Sequence, residues 1–136
     1  MPKKLSDFPV HLGRGGLAAT LPAFTGEMQW YEEYERLYPD DGAEGRLVSL
    51  HTFSSPWTMW EMHPKGHELV FCISGDLVLI RELPDGTEQR VALTAGDYAI
   101  NPPGVWHTAD VEGEASVVFI TAGEGTCHRQ RIPSDV

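Results

Sequence analysis

The chain reads as an all-β domain, an antiparallel sandwich or barrel preceded by an irregular arm and one short helix. Three observations predict this class. From residue 46 onward, short runs rich in β-branched, aromatic and leucine residues follow one another at 46–53, 57–63, 69–74, 77–83, 87–93, 98–101 and 116–121. Turn signals separate them, among them Pro64-Lys-Gly66, Gly75-Asp76, Pro84-Asp-Gly86, Ala95-Gly-Asp97 and Pro102-Pro-Gly104. No helical pattern lies between these runs, which excludes a parallel sheet with crossover helices.

The elements before residue 46 follow from their own composition. Residues 1–26 are rich in Gly and Pro with short apolar pieces, and they predict an irregular arm with one strand at Gly16-Leu-Ala-Ala-Thr-Leu21. Residues 27–37 lack both Gly and Pro. Trp30, Tyr31, Tyr34, Leu37 and Tyr38 recur there at spacings of three and four, which predicts an amphipathic helix packed on the body of the domain. Pro39-Asp-Asp-Gly42 ends it. At 136 residues the chain fits one domain, with the arm and helix over 1–45 and the barrel over 46–136.

Charge and composition narrow the function. Acidic residues outnumber basic ones 20 to 10, giving a net charge of −10, which argues against phosphate recognition, so nucleic acid is not an expected partner. No apolar run has the length that spans a membrane, and the opening Met1-Pro-Lys-Lys-Leu-Ser-Asp7 does not read as a signal peptide, so a cytoplasmic protein is expected. The two cysteines, Cys72 and Cys127, are expected as free thiols. Phosphate loops of the G-x4-G-K-S/T type, G-x-S-x-G elbows and C-x2-C pairs are missing.

One constellation carries chemistry. Alternation puts Trp57, Met59, Glu61 and His63 on one face of their strand, and the return after Pro64-Lys-Gly66 can bring Glu68 to the same side. His107 follows the rigid Pro102-Pro-Gly104 turn. Two imidazoles and a carboxylate are donors that intermediate metals prefer, and three ligands leave positions open for water or substrate. His67 should point away from this face, and His51 reads as core or rim. Neither His11 nor His128, both in terminal segments, carries a signal.

These residues resemble the two motifs of the cupin family, written G-x5-H-x-H-x3,4-E-x6-G and G-x5-P-x-G-x2-H-x3-N. The second is matched through its histidine by Gly96, Pro102, Gly104 and His107. The later part of the first is matched by Glu61-Met-His63-Pro-Lys-Gly-His-Glu68-Leu-Val-Phe-Cys-Ile-Ser-Gly75. The departures are Glu61 in place of the first histidine, Ser54 or Ser55 near the opening glycine, and Val111 in place of the closing asparagine.

The resemblance implies a double-stranded β-helix, or jelly-roll barrel, and a homodimer. It also implies a divalent metal (iron, manganese, nickel or zinc) held by His63, Glu68 and His107. Glu61 then either completes a two-histidine, two-carboxylate set or stands back as a catalytic general base. The function implied is a metal-dependent enzyme on a small organic molecule, dioxygenase-like or an isomerase or decarboxylase. The alternative is a non-catalytic module that binds a small ligand beside a degenerate metal site.

Overall fold

The computed structural model describes residues 1–132. Ten strands and one α-helix form a jelly roll of two facing antiparallel sheets. The strands are β1 (Val10–Leu12), β2 (Ala18–Thr20), β3 (Arg46–Phe53), β4 (Met59–Met62), β5 (Glu68–Glu82), β6 (Glu88–Thr94), β7 (Tyr98–Asn101), β8 (His107–Asp110), β9 (Ala115–Thr121) and β10 (Cys127–Gln130). One sheet runs β2-β1-β3-β9-β5-β7, and the other runs β10-β4-β8-β5-β6. The helix α1 (Met28–Leu37) is too short and too polar to cross a membrane.

Strand β5 belongs to both sheets and closes the barrel at one corner. The sequence predicts two strands parted by a turn at Gly75-Asp76, whereas the chain forms one continuous 15-residue strand. A bulge between Cys72 and Ser74 and the positive φ of 75° at Gly75 bend it instead of ending it. No other residue fits there: a Cβ on Gly75 would lie 1.8 Å from the carbonyl oxygen of Glu114. Beyond the bend, β5 leaves β9 and pairs with β8 and β6.

The bend also marks the apolar end of the barrel. Val70, Cys72, Leu77, Leu93, Ala109, Val111, Ala115, Val117 and Phe119 pack there as one buried cluster. Burying each larger aliphatic side chain contributes about 1.5–3 kcal/mol, enough to hold the sheets face to face without a disulfide. Both cysteines are free, Cys72 buried and Cys127 exposed.

The arm is more regular than its composition predicts, because β1 pairs with β3 and carries β2 at the sheet edge. Helix α1 packs as expected, with Trp30 buried against Phe24 and its indole N–H donating to the Pro22 carbonyl at 3.2 Å. Strand β10 lies beyond the last strand run that the sequence predicts, at 116–121. It forms by pairing with β4, which supplies the partner hydrogen bonds that local propensity does not.

Candidate metal centre

Glu61, His63, Glu68 and His107 converge inside the barrel, beside the apolar cluster, where Glu68 lies two residues before Val70 on β5. One ligand atom from each lies within 4.8 Å of the others. Strand pairing produces the convergence. Glu61 on β4 sits in register with His107 on β8, while Glu68 opens β5 between Asn101 of β7 and Thr121 of β9. The Pro64-Lys-Gly66 return carries His63 to the same side. His67, its near neighbour, is exposed, as alternation predicts.

Glu68 is the centre of the set. It is 3% exposed and accepts hydrogen bonds from the Thr121 hydroxyl at 2.6 Å and the Asn101 amide at 3.2 Å. Arg81 fixes that amide by donating from Nε to Asn101 Oδ1 at 2.9 Å, so the Asn101 amino group must point to Glu68. The Nε2 atoms of His63 and His107 each lie 3.1 Å from one Glu68 oxygen. Burial alone would push the Glu68 carboxyl up, but His107 and His63 outweigh it and hold the group well below the usual carboxylate range.

The proton positions on the two imidazoles follow from their other nitrogens. The Thr126 hydroxyl donates to the Gly123 carbonyl, so at 2.8 Å from His63 Nδ1 it can only accept. His107 Nδ1 faces the Val105 carbonyl at 3.4 Å, also an acceptor. In the neutral imidazoles both protons therefore sit on Nδ1, and both Nε2 atoms offer lone pairs inward. Neither buried Nε2 has a hydrogen-bond partner. Lone pairs facing a carboxylate at 3.1 Å need a cation between them.

Without a metal, a proton would answer that need. Burial lowers the His63 pKa, yet Glu68 and Glu61 outweigh it and raise it above the ordinary imidazole value. A divalent ion answers the same demand with two charges, and the donor set of two imidazoles and up to two carboxylates suits iron, manganese, nickel or zinc. The residues present fit such an ion.

Glu61 sits differently from the other three. Its side chain is 31% exposed, with one oxygen 3.7 Å and 3.9 Å from the two Nε2 atoms. The other oxygen lies 3.6 Å from Nε2 of His128. Glu61 raises the His128 pKa above the ordinary imidazole value against the opposing effect of burial. His128 carries no signal in the sequence. Its place depends on the pairing of β10 with β4, in which His128 stands opposite Glu61, and no local signal reveals that pairing.

The cluster opens into a cavity of about 1090 Å³. Phe24, Tyr31, His51, Phe53, Trp57 and Phe119 supply much of its wall. His51 therefore lines the cavity instead of filling the core, and burial lowers its pKa against the pull of Glu61. His11 is buried too, its ring stacked on Tyr38 and bound to Asp41 and Tyr34 at 2.7 Å each.

The cupin domain model (Cupin_2) matches residues 51–123, more than half the chain and all four residues of the cluster. The chain belongs to the cupin family. Among solved structures, this cupin is similar to a cupin-2 domain protein from Shewanella frigidimarina, with 22% identity and a TM-score of 0.47 over 56% of this chain and 69% of that one. An oxalate oxidase gives 18% identity and a TM-score of 0.52 over 60% of this chain and 44% of the oxidase. A variant of oxalate decarboxylase from Bacillus subtilis gives 21% identity and a TM-score of 0.52 over 62% of this chain and 23% of the decarboxylase. This cupin thus spans less than half of either oxalate enzyme, and the likeness is one of fold. No curated protein matches the chain.

Proposed function

We propose that this cupin is a metal-dependent enzyme acting on a small organic molecule, with His63, Glu68 and His107 holding a divalent cation. The observation that carries the proposal is the pair of buried, unpartnered Nε2 atoms aimed at one carboxylate. Without a metal, each of those nitrogens would need a proton to face the carboxylate. Bound there, a divalent iron, manganese, nickel or zinc ion supplies a Lewis acid and, when redox-active, a centre for oxygen chemistry of the dioxygenase type.

The chain's own residues then divide the remaining work. Asn101, Thr121 and Arg81 hold Glu68 in place, and Thr126 and the Val105 carbonyl set the imidazole tautomers. Glu61 is the catalytic group. It faces the cavity, reaches the cluster on one side and His128 on the other, and can take a proton from a bound substrate. That proton-accepting geometry favours isomerisation or decarboxylation as the second reading. A cytoplasmic homodimer is the proposed setting.

Elemental analysis of the purified protein tests the reading. We expect about one divalent ion per chain, lost in His63→Ala and in His107→Ala but retained in Glu61→Gln. A wild type that neither carries nor takes up such an ion, yet binds a small molecule tightly, would make the chain a binding module instead.

A further inference from the structure

The cavity has a charge pattern that the metal reading leaves unused. Its lining includes five carboxylates, those of Glu35, Asp41, Glu61, Glu68 and Glu124, and no lysine or arginine among the described residues. Asp41 is matched by His11 at 2.7 Å, and Glu68 by the two cluster histidines. Two neutral imidazoles, Glu61, Glu68 and a divalent cation sum to zero charge, so the centre itself would add no positive field. Even with His128 counted as positive beside Glu61, Glu35 and Glu124 leave the cavity net negative.

Its apolar wall is a run of rings leading to the cluster. Phe24 meets His51 at 5.0 Å between centroids, His51 meets Phe119 at 5.9 Å, and Phe119 meets Trp57 at 5.9 Å. Phe53 touches both Trp57, at 5.4 Å, and Phe119, at 6.1 Å. Trp57 then faces the His107 ring at 6.3 Å. Such a wall favours a flat ring by stacking and edge contacts, and tolerates positive charge. An anion would give up its hydration to a negative cavity that offers no lysine or arginine, and whose His128 is already committed to Glu61.

We infer that the ligand of this cavity is a small aromatic molecule bearing a hydroxyl or amino group and no carboxylate. The inference rests on the proposed metal centre only for the end that the hydroxyl or amine would approach. The ring selectivity and the exclusion of anions come from the walls. Compact dicarboxylates, including oxalate, are excluded by the same argument.

Phenol, aniline and benzoate share a ring and differ in the head group, so they make a matched probe set. Each is titrated, alongside oxalate, into zinc-loaded and metal-free protein, and binding is read by tryptophan quenching and calorimetry. We expect phenol and aniline to bind at least roughly tenfold more tightly than benzoate in both forms, and oxalate not to bind. Ser54→Arg, an exposed change at the cavity rim, should raise benzoate affinity about tenfold and leave phenol unchanged.

Benzoate or oxalate binding as tightly as phenol in both forms overturns the inference, as does the failure of every aromatic probe. Zinc content is measured on the same samples. Zinc bound with the ranking reversed sinks this inference alone. The expected ranking in a protein that takes up no zinc supports it while removing the metal reading.

Discussion

A neutral imidazole carries one proton, and its position decides whether His63 can bind a cation. Thr126 makes that choice. Its hydroxyl hydrogen is committed to the Gly123 carbonyl, so its oxygen is left to receive the Nδ1–H of His63. Outer partners of this kind commonly govern metal affinity without touching the metal. Thr126→Val should therefore weaken zinc binding by about 10- to 100-fold, measured by competition with a chelator, while Thr126→Ser restores it. Unchanged affinity in the valine variant would show that the tautomer is fixed some other way. Neither Thr126 nor Asn101 announces its role in the sequence. Each is an ordinary polar residue that becomes important only because a distant backbone turn or side chain restricts which way it can donate.

At the scale of elements, helix α1 is tied to the sheet through one histidine. His11 on β1 donates from Nε2 to Asp41, beyond the helix, and its other nitrogen meets Tyr34 within α1. The His11 bond holds the Asp41 carboxyl below the ordinary value of 3.8, with Arg14 adding to it against a smaller opposing effect of burial. A carboxyl whose folded pKa is depressed stabilises the fold above its unfolded pKa. That stability is lost as pH falls through the depressed value. The near-ultraviolet dichroism of the α1 aromatics should therefore decay on acidification below about pH 4. In Asp41→Asn the same signal should be weaker at neutral pH and should lose this acid-side step. The aromatic spacing of α1 was enough to predict a helix packed inward. The clamp was not legible, since His11 and Asp41 are 30 residues apart and neither shows a periodic pattern.

For the molecule as a whole, the outer face of the larger sheet stands out. Leu69 and Phe71 of β5, Tyr98 and Ile100 of β7, and Val118 and Ile120 of β9 alternate with the inward residues and lie side by side by register. Tyr98 is 63% and Ile100 47% exposed, an apolar surface of the kind that pairs with another chain. Its apolar character is what the proposed homodimer would need at its interface. Ile100→Lys should leave the fold intact and weaken dimerisation at least about tenfold, read as a fall to the single-chain mass in light scattering at micromolar concentration. A wild type that is already monomeric there would remove the homodimer from the proposal.

Local chemistry alone determined much of this protein. Alternating apolar residues with Gly and Pro punctuation specified an antiparallel β domain, and the resemblance of two stretches to the cupin motifs implied that His63, Glu68 and His107 would meet. These features were readable because strand period and turn propensity act over a few neighbours. Only tertiary structure decided that β5 bends through Gly75 instead of stopping. The same holds for β10, which becomes a strand by lying beside β4, and for His128, which that pairing brings to Glu61. Each of these outcomes depends on a backbone or side chain brought close by closing the barrel, and such proximity leaves no mark on the local order of residues.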